Sequence, residues 1–119
     1  MPNRSIRTET LEPVHWAVIG LATISGLVHL GLGIMYIEDI LGISFLMAGI
    51  GFAVGIGCIL IDYRRRLVFI LGIPFVGAQI ISWIVIAQPT LGTVSPVEIA
   101  DKLAQVTLII LLVYLLVRD

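Results

Sequence analysis

The polar side chains that could take part in chemistry lie inside long apolar stretches of this chain. His29 sits in the segment SGLVHLGLG, where every residue but Ser25 and the histidine itself is apolar. An ionisable ring in such a place is a candidate for handling a proton, for binding a metal or haem, or for hydrogen bonding between helices. The other candidates are two hydroxyls, two amides and a carboxylate: Ser44, Ser82, Gln79, Gln105 and Asp101.

Four apolar segments must position these residues. The chain has 119 residues, of which 59% are hydrophobic and 13% charged, whereas soluble proteins carry about 25% charged residues. Each apolar segment is long enough for a bilayer, which needs about 20 such residues per helix. The sequence therefore predicts an all-α integral membrane protein, an up-and-down four-helix bundle with helices at about 14–36, 40–61, 67–87 and 96–117.

The basic residues predict the orientation of this bundle, because cytoplasmic loops carry an excess of Lys and Arg. If the N-terminus is cytoplasmic, only Lys102 lies outside. Six basic residues then lie inside: Arg4, Arg7, Arg64, Arg65, Arg66 and Arg118. We therefore expect a polar cytoplasmic tail at 1–13, a transmembrane domain at 14–119 with both termini cytoplasmic, and a location in the cell membrane.

The polar residues fall at one level of the predicted bundle. On all four helices they lie in the outer half, while the inner half has almost none. The sequence thus predicts a hydrogen-bonded cluster around His29, Gln79 and Gln105, with Asp101 as a proton partner nearer the surface and with Ser44 and Ser82 at the same depth. Three interpretations stay open: a cluster that fixes helix register, an outward-opening pocket for a proton, ion or head group, and a contact with a partner protein.

Small residues at helical spacing indicate close packing of helices, which in lipid replaces the hydrophobic effect as a source of association. The second helix carries Ser44, Ala48, Gly51 and Gly55 at spacings of four, three and four. The first helix has a similar seam of Ala22, Ser25, Gly26, His29 and Gly33. Either seam fits packing within one chain or between two copies.

A haem site needs separate consideration. His15 and His29 are 14 residues apart, a spacing that resembles the one by which membrane b-type cytochromes hold two haems. Here only Met35, Met47 or the histidine of a second copy remains as an opposing ligand. The chain has no HExxH or GxSxG motif and no pair of facing carboxylates. We expect no enzymatic activity, no metal site and no cofactor.

Four stretches, LGISFLMAGIGF, IDYRRR, LGIPFVGAQI and DKLAQVTLIILLV, carry a resemblance that covers residues 14–119. In these stretches the chain resembles an uncharacterised group of small four-helix integral membrane proteins from archaea, especially halophilic ones. The resemblance implies the four-helix membrane fold and an archaeal source. It implies no activity.

The function expected from these observations is association within the membrane. The segments outside the helices are too short for a separate active domain, so we expect a small accessory or scaffold subunit of a larger membrane complex. The alternative is a small dimeric transporter or channel that uses the outer polar cluster around His29. A haem-binding membrane redox subunit is a more remote alternative. The expected partners are membrane lipids and either a larger complex or further copies of the chain, and no nucleic acid.

Overall fold

A computed structural model describes residues 8–118 and shows an all-helical chain. A short 3-10 turn (Thr8–Thr10) precedes four helices, α1 (Pro13–Met35), α2 (Ile40–Leu60), α3 (Arg65–Ala87) and α4 (Pro96–Arg118). All four are long and apolar enough to cross a membrane. The predicted all-α class with four such helices is confirmed. The part of the predicted N-terminal tail that holds Arg4 and Arg7 lies outside the described residues.

The first two helices run antiparallel to each other. Gly33 near the end of α1 lies against Leu46 of α2, whereas Gly26, one heptad earlier, lies against Phe52 further along α2. A turn of four residues, 36–39, joins the two helices, and such a short connection forces its neighbours into antiparallel directions.

The last helix returns alongside both α1 and α3. At its end, Arg118 forms an ion pair with Glu12 just before α1, with 2.8 Å between Nη2 and Oε2. At its beginning, Glu98 accepts a hydrogen bond from Nε1 of Trp83 near the end of α3, over 3.3 Å. Helix α1 therefore packs against α2 and α4, and α3 packs against α4, while the contact between α2 and α3 is sparse.

The described arginines gather at one end of the bundle. Arg65 donates from Nη1 to the Thr10 hydroxyl over 2.6 Å, which joins the α2–α3 turn to the segment before α1. The Glu12–Arg118 ion pair lies at this same end. We call it the arginine end, comprising residues 8–12, the turn 61–64 and Arg118. The opposite, loop end holds the turn 36–39 and the loop 88–95.

Helix α3 begins two residues earlier than the sequence predicted, at Arg65. Asp62 and Arg64 both adopt positive φ values, 56° and 51°, which close the turn within a few residues. Arg65 and Arg66 therefore belong to the first turn of α3 and not to the connection. Long arginine side chains tolerate this position because their charged groups extend beyond the helix end.

The closest helix contact lies between α1 and α2 and depends on glycines. A Cβ on Gly33 would lie 2.6 Å from Leu46 Cγ and 2.9 Å from the carbonyl oxygen of Gly42, and a Cβ on Gly49 would lie 2.5 Å from Leu30 Cγ. Gly26, which the sequence placed in a seam, takes part in this contact. Without side chains at these positions the two backbones approach closely, as in other small-residue seams.

The predicted stripe of α2 faces away from α1. Gly51 lies under the ring of Phe75 on α3, where an added Cβ would be 2.6 Å from Cζ, and Gly55 has only Val68 Cγ1 nearby, at 3.7 Å. Ala48 is half-buried. Gly51 is nine residues beyond Gly42, about two and a half helical turns, so the two residues lie on opposite faces of α2. The close seam uses Gly42 and Gly49 instead.

An apolar core lies in the half of the bundle nearer the arginine end. All four helices contribute to it, through Val18, Ala22, Phe52, Ile59, Phe69, Val76, Leu108, Leu112 and Leu115. The rings of Phe52 and Phe75 meet edge to face at 5.1 Å between centroids, a favourable aromatic geometry. The polar residues of interest lie beyond this core, towards the loop end.

Candidate functional site

Helix α4 carries two residues of the site on its buried face. Its start is set by a capping box, in which the Ser95 amide donates to Glu98 Oε2 over 2.7 Å and the Glu98 amide donates to the Ser95 hydroxyl over 3.2 Å. Asp101 and Gln105 follow one turn apart and are buried, 4% and 0% exposed. The local sequence thus aims a carboxylate and an amide at the centre of the bundle.

Ser25 of α1 is the residue that these two groups meet. Its hydroxyl donates to Asp101 Oδ1 over 2.7 Å and accepts from Gln105 Nε2 over 3.1 Å. Ser25 is fully buried. The sequence placed Ser25 in the α1 seam but not in the polar cluster. Its spacing of four from His29, on the same buried helix face, is the signal that would have included it.

Gln79 and Lys102 complete the set. Gln105 also donates from Nε2 to Gln79 Oε1 on α3 over 2.8 Å, and Lys102 donates from Nζ to Gln105 Oε1 over 2.9 Å. Lys102 Nζ further lies 3.1 Å from Asp101 Oδ2. We call these residues the polar network: Ser25, Gln79, Asp101, Lys102 and Gln105. It joins three helices, α1, α3 and α4.

The polar network contains one negative and one positive side chain, Asp101 and Lys102, which form an ion pair. The side chains of Lys102 and Asp101 are 14% and 5% exposed, so the lysine has the better access to the loop end. Lys102 Nζ lies 5.6 Å from the ring centroid of Trp83, which adds a cation–π contact. A buried carboxylate is tolerated in a low-dielectric setting only when it is paired and hydrogen-bonded, and Asp101 meets both conditions.

His29 lies beside the polar network but outside it. Its Nδ1 is 2.7 Å from the Ser25 carbonyl oxygen, one turn earlier on the same helix. Its ring packs against Phe45 and Phe52 of α2 at centroid distances of 5.7 and 5.9 Å. The prediction of a cluster around His29 is therefore corrected, because the ring turns towards the aromatic side chains of α2 while the amides gather around Ser25.

The two other predicted members, Ser44 and Ser82, are not in the site. Both are exposed. Ser44 donates its hydroxyl to the Ile40 carbonyl of its own helix over 2.9 Å, a common way to satisfy a serine on a helix surface. The sequence predicted their depth along the helices, but depth does not determine which way a helix face points.

One polar atom of the site is left over. The Nε2 atom of Gln79 is buried and has no hydrogen-bond partner among the described residues. An unpaired buried amide costs about 1–3 kcal/mol, which makes it an unusual feature in an otherwise satisfied set. This amide is the only group of the polar network with a spare buried donor in the part of the chain that the structure describes.

Among the described residues, the two histidines lie in different parts of the bundle. His15 is at the arginine end, where its Nδ1 accepts a hydrogen bond from the Glu12 amide over 3.0 Å. Met35 and Met47, the alternative haem ligands, point outwards and are 71% and 67% exposed, whereas His29 is buried. Within residues 8–118 no group of three or more His, Cys, Asp or Glu could hold a metal ion.

The arrangement is suited to joining helices. Its carboxylate, hydroxyl and amides pair with one another, and the apolar core closes the bundle below them towards the arginine end. No buried polar residue lies between Ser25 and His15 on α1, or beyond Gln105 on α4, among the residues described. A proton or ion that reached the polar network from the loop end would meet hydrocarbon next.

Comparison with known proteins places the chain in a family. Residues 2–116 match the family described as Family of unknown function (DUF7475). The chain belongs to this family, and the match runs from before α1 to residue 116, two residues short of the end of α4. No curated protein and no solved structure matches the chain.

Proposed function

We propose that this member of the family is a non-enzymatic multi-pass membrane protein that acts by association, as a small accessory or scaffold subunit of a larger membrane complex. The segments between helices support this view, since the two turns and the loop 88–95 are too short to fold separately. We further propose a cell-membrane location with the arginine end cytoplasmic, following the positive-inside rule. An archaeal source remains a prediction from the resemblance.

The observation that carries the proposal is the closure of the polar network on itself. Ser25 both donates to Asp101 and accepts from Gln105, and all three are at most 4% exposed. Hydrogen bonds of this kind fix the positions of helices relative to one another. A catalytic site needs groups that are accessible to a substrate, whereas these three side chains are buried and hydrogen-bond to each other.

The outer surfaces of α2 and α3 are where we place the contact with the larger complex. In the most apolar 18-residue window of each helix, buried residues make up 39% of α1 and 33% of α4 but only 17% of α2 and 11% of α3. Met47 on α2 and Ile84 on α3 are examples, 67% and 53% exposed, and both lie towards the loop end. Such helices have most of their surface available for neighbours.

Site-specific crosslinking in native membranes tests the proposal. A photoreactive amino acid replaces Met47 or Ile84 in the tagged full-length chain, and Ile110 on α4, which is 61% exposed, serves as the matched control. We expect Met47 and Ile84 to crosslink to the same larger membrane protein, which also co-purifies at a fixed stoichiometry in mild detergent, and Ile110 not to do so. Recovery as a free chain or a bare homodimer with only self-crosslinks would contradict the proposal.

A small dimeric transporter or channel is the second candidate, and the spare amide of Gln79 favours it. A buried donor without a partner is suited to an anion or a water molecule that enters from the loop end. Reconstitution of the purified full-length chain in vesicles, with ion or proton flux as the readout, distinguishes the two functions. Flux that is lost in Gln79→Leu but kept in the surface variant Ser82→Ala would favour the transporter.

A further inference from the structure

An apolar cavity of about 250 Å³ lies between α2 and α3, in the half of the bundle nearer the arginine end. Every lining residue is apolar, a glycine or Cys58, and the glycines 51, 55 and 72 form much of its wall. Val54 and Leu71 line it and are 61% and 57% exposed, so the cavity opens sideways between the two helices.

The cavity exists because α2 and α3 do not pack closely there. Gly55 has no atom of α3 nearer than Val68 Cγ1, at 3.7 Å from a Cβ built on it. Protein interiors rarely leave voids of this size, since each void forfeits dispersion contacts. In a bilayer such an opening faces the hydrocarbon region. A flexible acyl chain can fill it at a low cost in free energy.

The length of the cavity suits an acyl chain. Its lining on α2 runs from Gly51 to Ile59, a distance of about 12 Å along the helix axis. One leaflet of the hydrocarbon region is about 15 Å thick, half of the roughly 30 Å core. The cavity therefore spans most of one leaflet, from the middle of the bundle to the arginine end.

Two arginines, Arg64 and Arg65, lie next to lining residues at one end of the cavity. Arg65 donates from Nε to the carbonyl oxygen of Ile59, a lining residue, over 2.7 Å. Its own charge is met by Asp62, at 3.4 Å. Arg64 lies one turn before the lining residue Val68, whose amide donates to the Arg64 carbonyl oxygen over 3.0 Å. Its side chain is exposed, with the guanidinium 5.5 Å from the Tyr63 ring centroid, and no carboxylate among residues 8–118 forms an ion pair with it. The N-terminus of α3 starts here without a side-chain cap, which adds positive potential.

We infer that this cavity and these arginines form a binding site for one anionic phospholipid. An acyl chain lies between α2 and α3, and the phosphate of the headgroup contacts Arg64. A basic group adjoining a gap between membrane helices is a recognised basis for selecting anionic lipids. The inference does not depend on the accessory role, because it concerns the opposite half of the bundle from Met47 and Ile84.

Native mass spectrometry of the full-length protein in dodecyl maltoside tests this site. The probes are a phosphatidylglycerol and a phosphatidylcholine with identical acyl chains, added at equal concentration. We expect one phosphatidylglycerol to be retained in preference to phosphatidylcholine, and glycerol 3-phosphate not to displace it. Equal retention of the two lipids would overturn the inference, as would displacement by the headgroup compound alone.

Two sets of variants separate the headgroup from the acyl chain. Arg64→Gln should lower the preference for phosphatidylglycerol by about fivefold. Arg66→Gln, also exposed but on the opposite face of α3 from the lining residues, is the matched control and should leave the preference unchanged. Gly55→Leu should fill the cavity and abolish retention, whereas Gly57→Leu on the same helix, where a Cβ meets nothing within 4 Å, should retain the lipid. Unchanged lipid retention in Gly55→Leu would overturn the inference. Unchanged preference for phosphatidylglycerol in Arg64→Gln would overturn it as well.

Discussion

The hydroxyl of Ser25 lies 2.7 Å from Oδ1 of Asp101, and this contact joins α1 to α4 across 76 positions of sequence. The same oxygen accepts a hydrogen bond from Gln105, so a single hydroxyl contacts both of the buried polar residues of α4. Ser25 is thus the point at which the first and last helices are held in register.

The substitution Ser25→Ala should destabilise the bundle by about 1–3 kcal/mol, because it leaves the buried Asp101 and Gln105 each short of one partner. Unfolding of the purified protein in detergent, followed by circular dichroism, measures this loss. Thr23→Ala is the matched control, since the Thr23 hydroxyl is exposed and donates only to the Ile19 carbonyl of its own helix. Equal losses in the two variants would show that the polar network contributes no stability.

The substitution Gly33→Ala should lower stability by about 1–3 kcal/mol, the usual cost of overpacking. The new Cβ would lie 2.9 Å from the Gly42 carbonyl oxygen, a backbone atom that cannot move aside as a side chain can. Gly31→Ala, two residues away, should be neutral or slightly stabilising, because a Cβ there meets nothing within 4 Å. If both variants unfold at the same temperature, α1 and α2 are not in close contact at this seam.

The substitution His29→Leu should cost only about 0.5–1.5 kcal/mol, since it removes one hydrogen bond and keeps an apolar side chain against Phe45 and Phe52. Crosslinking from Met47 should be unchanged. Gln105→Leu should cost more, because it breaks contacts to Ser25, Gln79 and Lys102 together. A His29→Leu protein that is fully stable but has lost a proton or ion flux would show instead that the ring does chemistry.

Thiol labelling tests the orientation. In a Cys58→Ser background, Arg66→Cys and Leu91→Cys place one exposed thiol at the arginine end and one at the loop end. A membrane-impermeant maleimide should label Leu91→Cys in intact cells and Arg66→Cys only after the membrane is opened. Labelling of Arg66→Cys in intact cells would reverse the proposed topology.

The helices could be predicted because their signal is long and local. Each apolar segment ends at residues that hydrocarbon excludes or that break a helix, such as Asp62 or Pro89. The predicted bounds differ from the observed ones by one or two residues at several helix ends. The largest difference is at the start of α3, where the positive φ of Arg64 brings Arg65 and Arg66 into the helix. Backbone turns of this kind depend on how two helices meet, so the amino-acid composition of the turn does not predict them.

The membership of the candidate site was harder to predict, because it depends on helix rotation. Gln79, Asp101 and Gln105 come together, but Ser44 and Ser82 share their depth and point outwards. In a soluble bundle, polar and apolar faces would reveal the rotation. Here the helices are apolar on nearly all faces. The sequence therefore predicts how far along a helix a polar residue lies, but not the direction in which its side chain points. Ser25 and Lys102 were missed for the same reason.

The pairing of the first and last helices sets an order of events during synthesis. Ser25 emerges from the ribosome 76 residues before Asp101, a delay of roughly 4 to 15 seconds at ordinary rates of translation. In the proposed membrane setting, α1 holds the Ser25 hydroxyl in or near lipid during that interval, without α4 to cover it. We therefore expect the nascent chain to depend on one of two factors until α4 has been translated. Either the insertion machinery keeps the Ser25 hydroxyl away from lipid, or α2 packs against α1 early through the glycine seam.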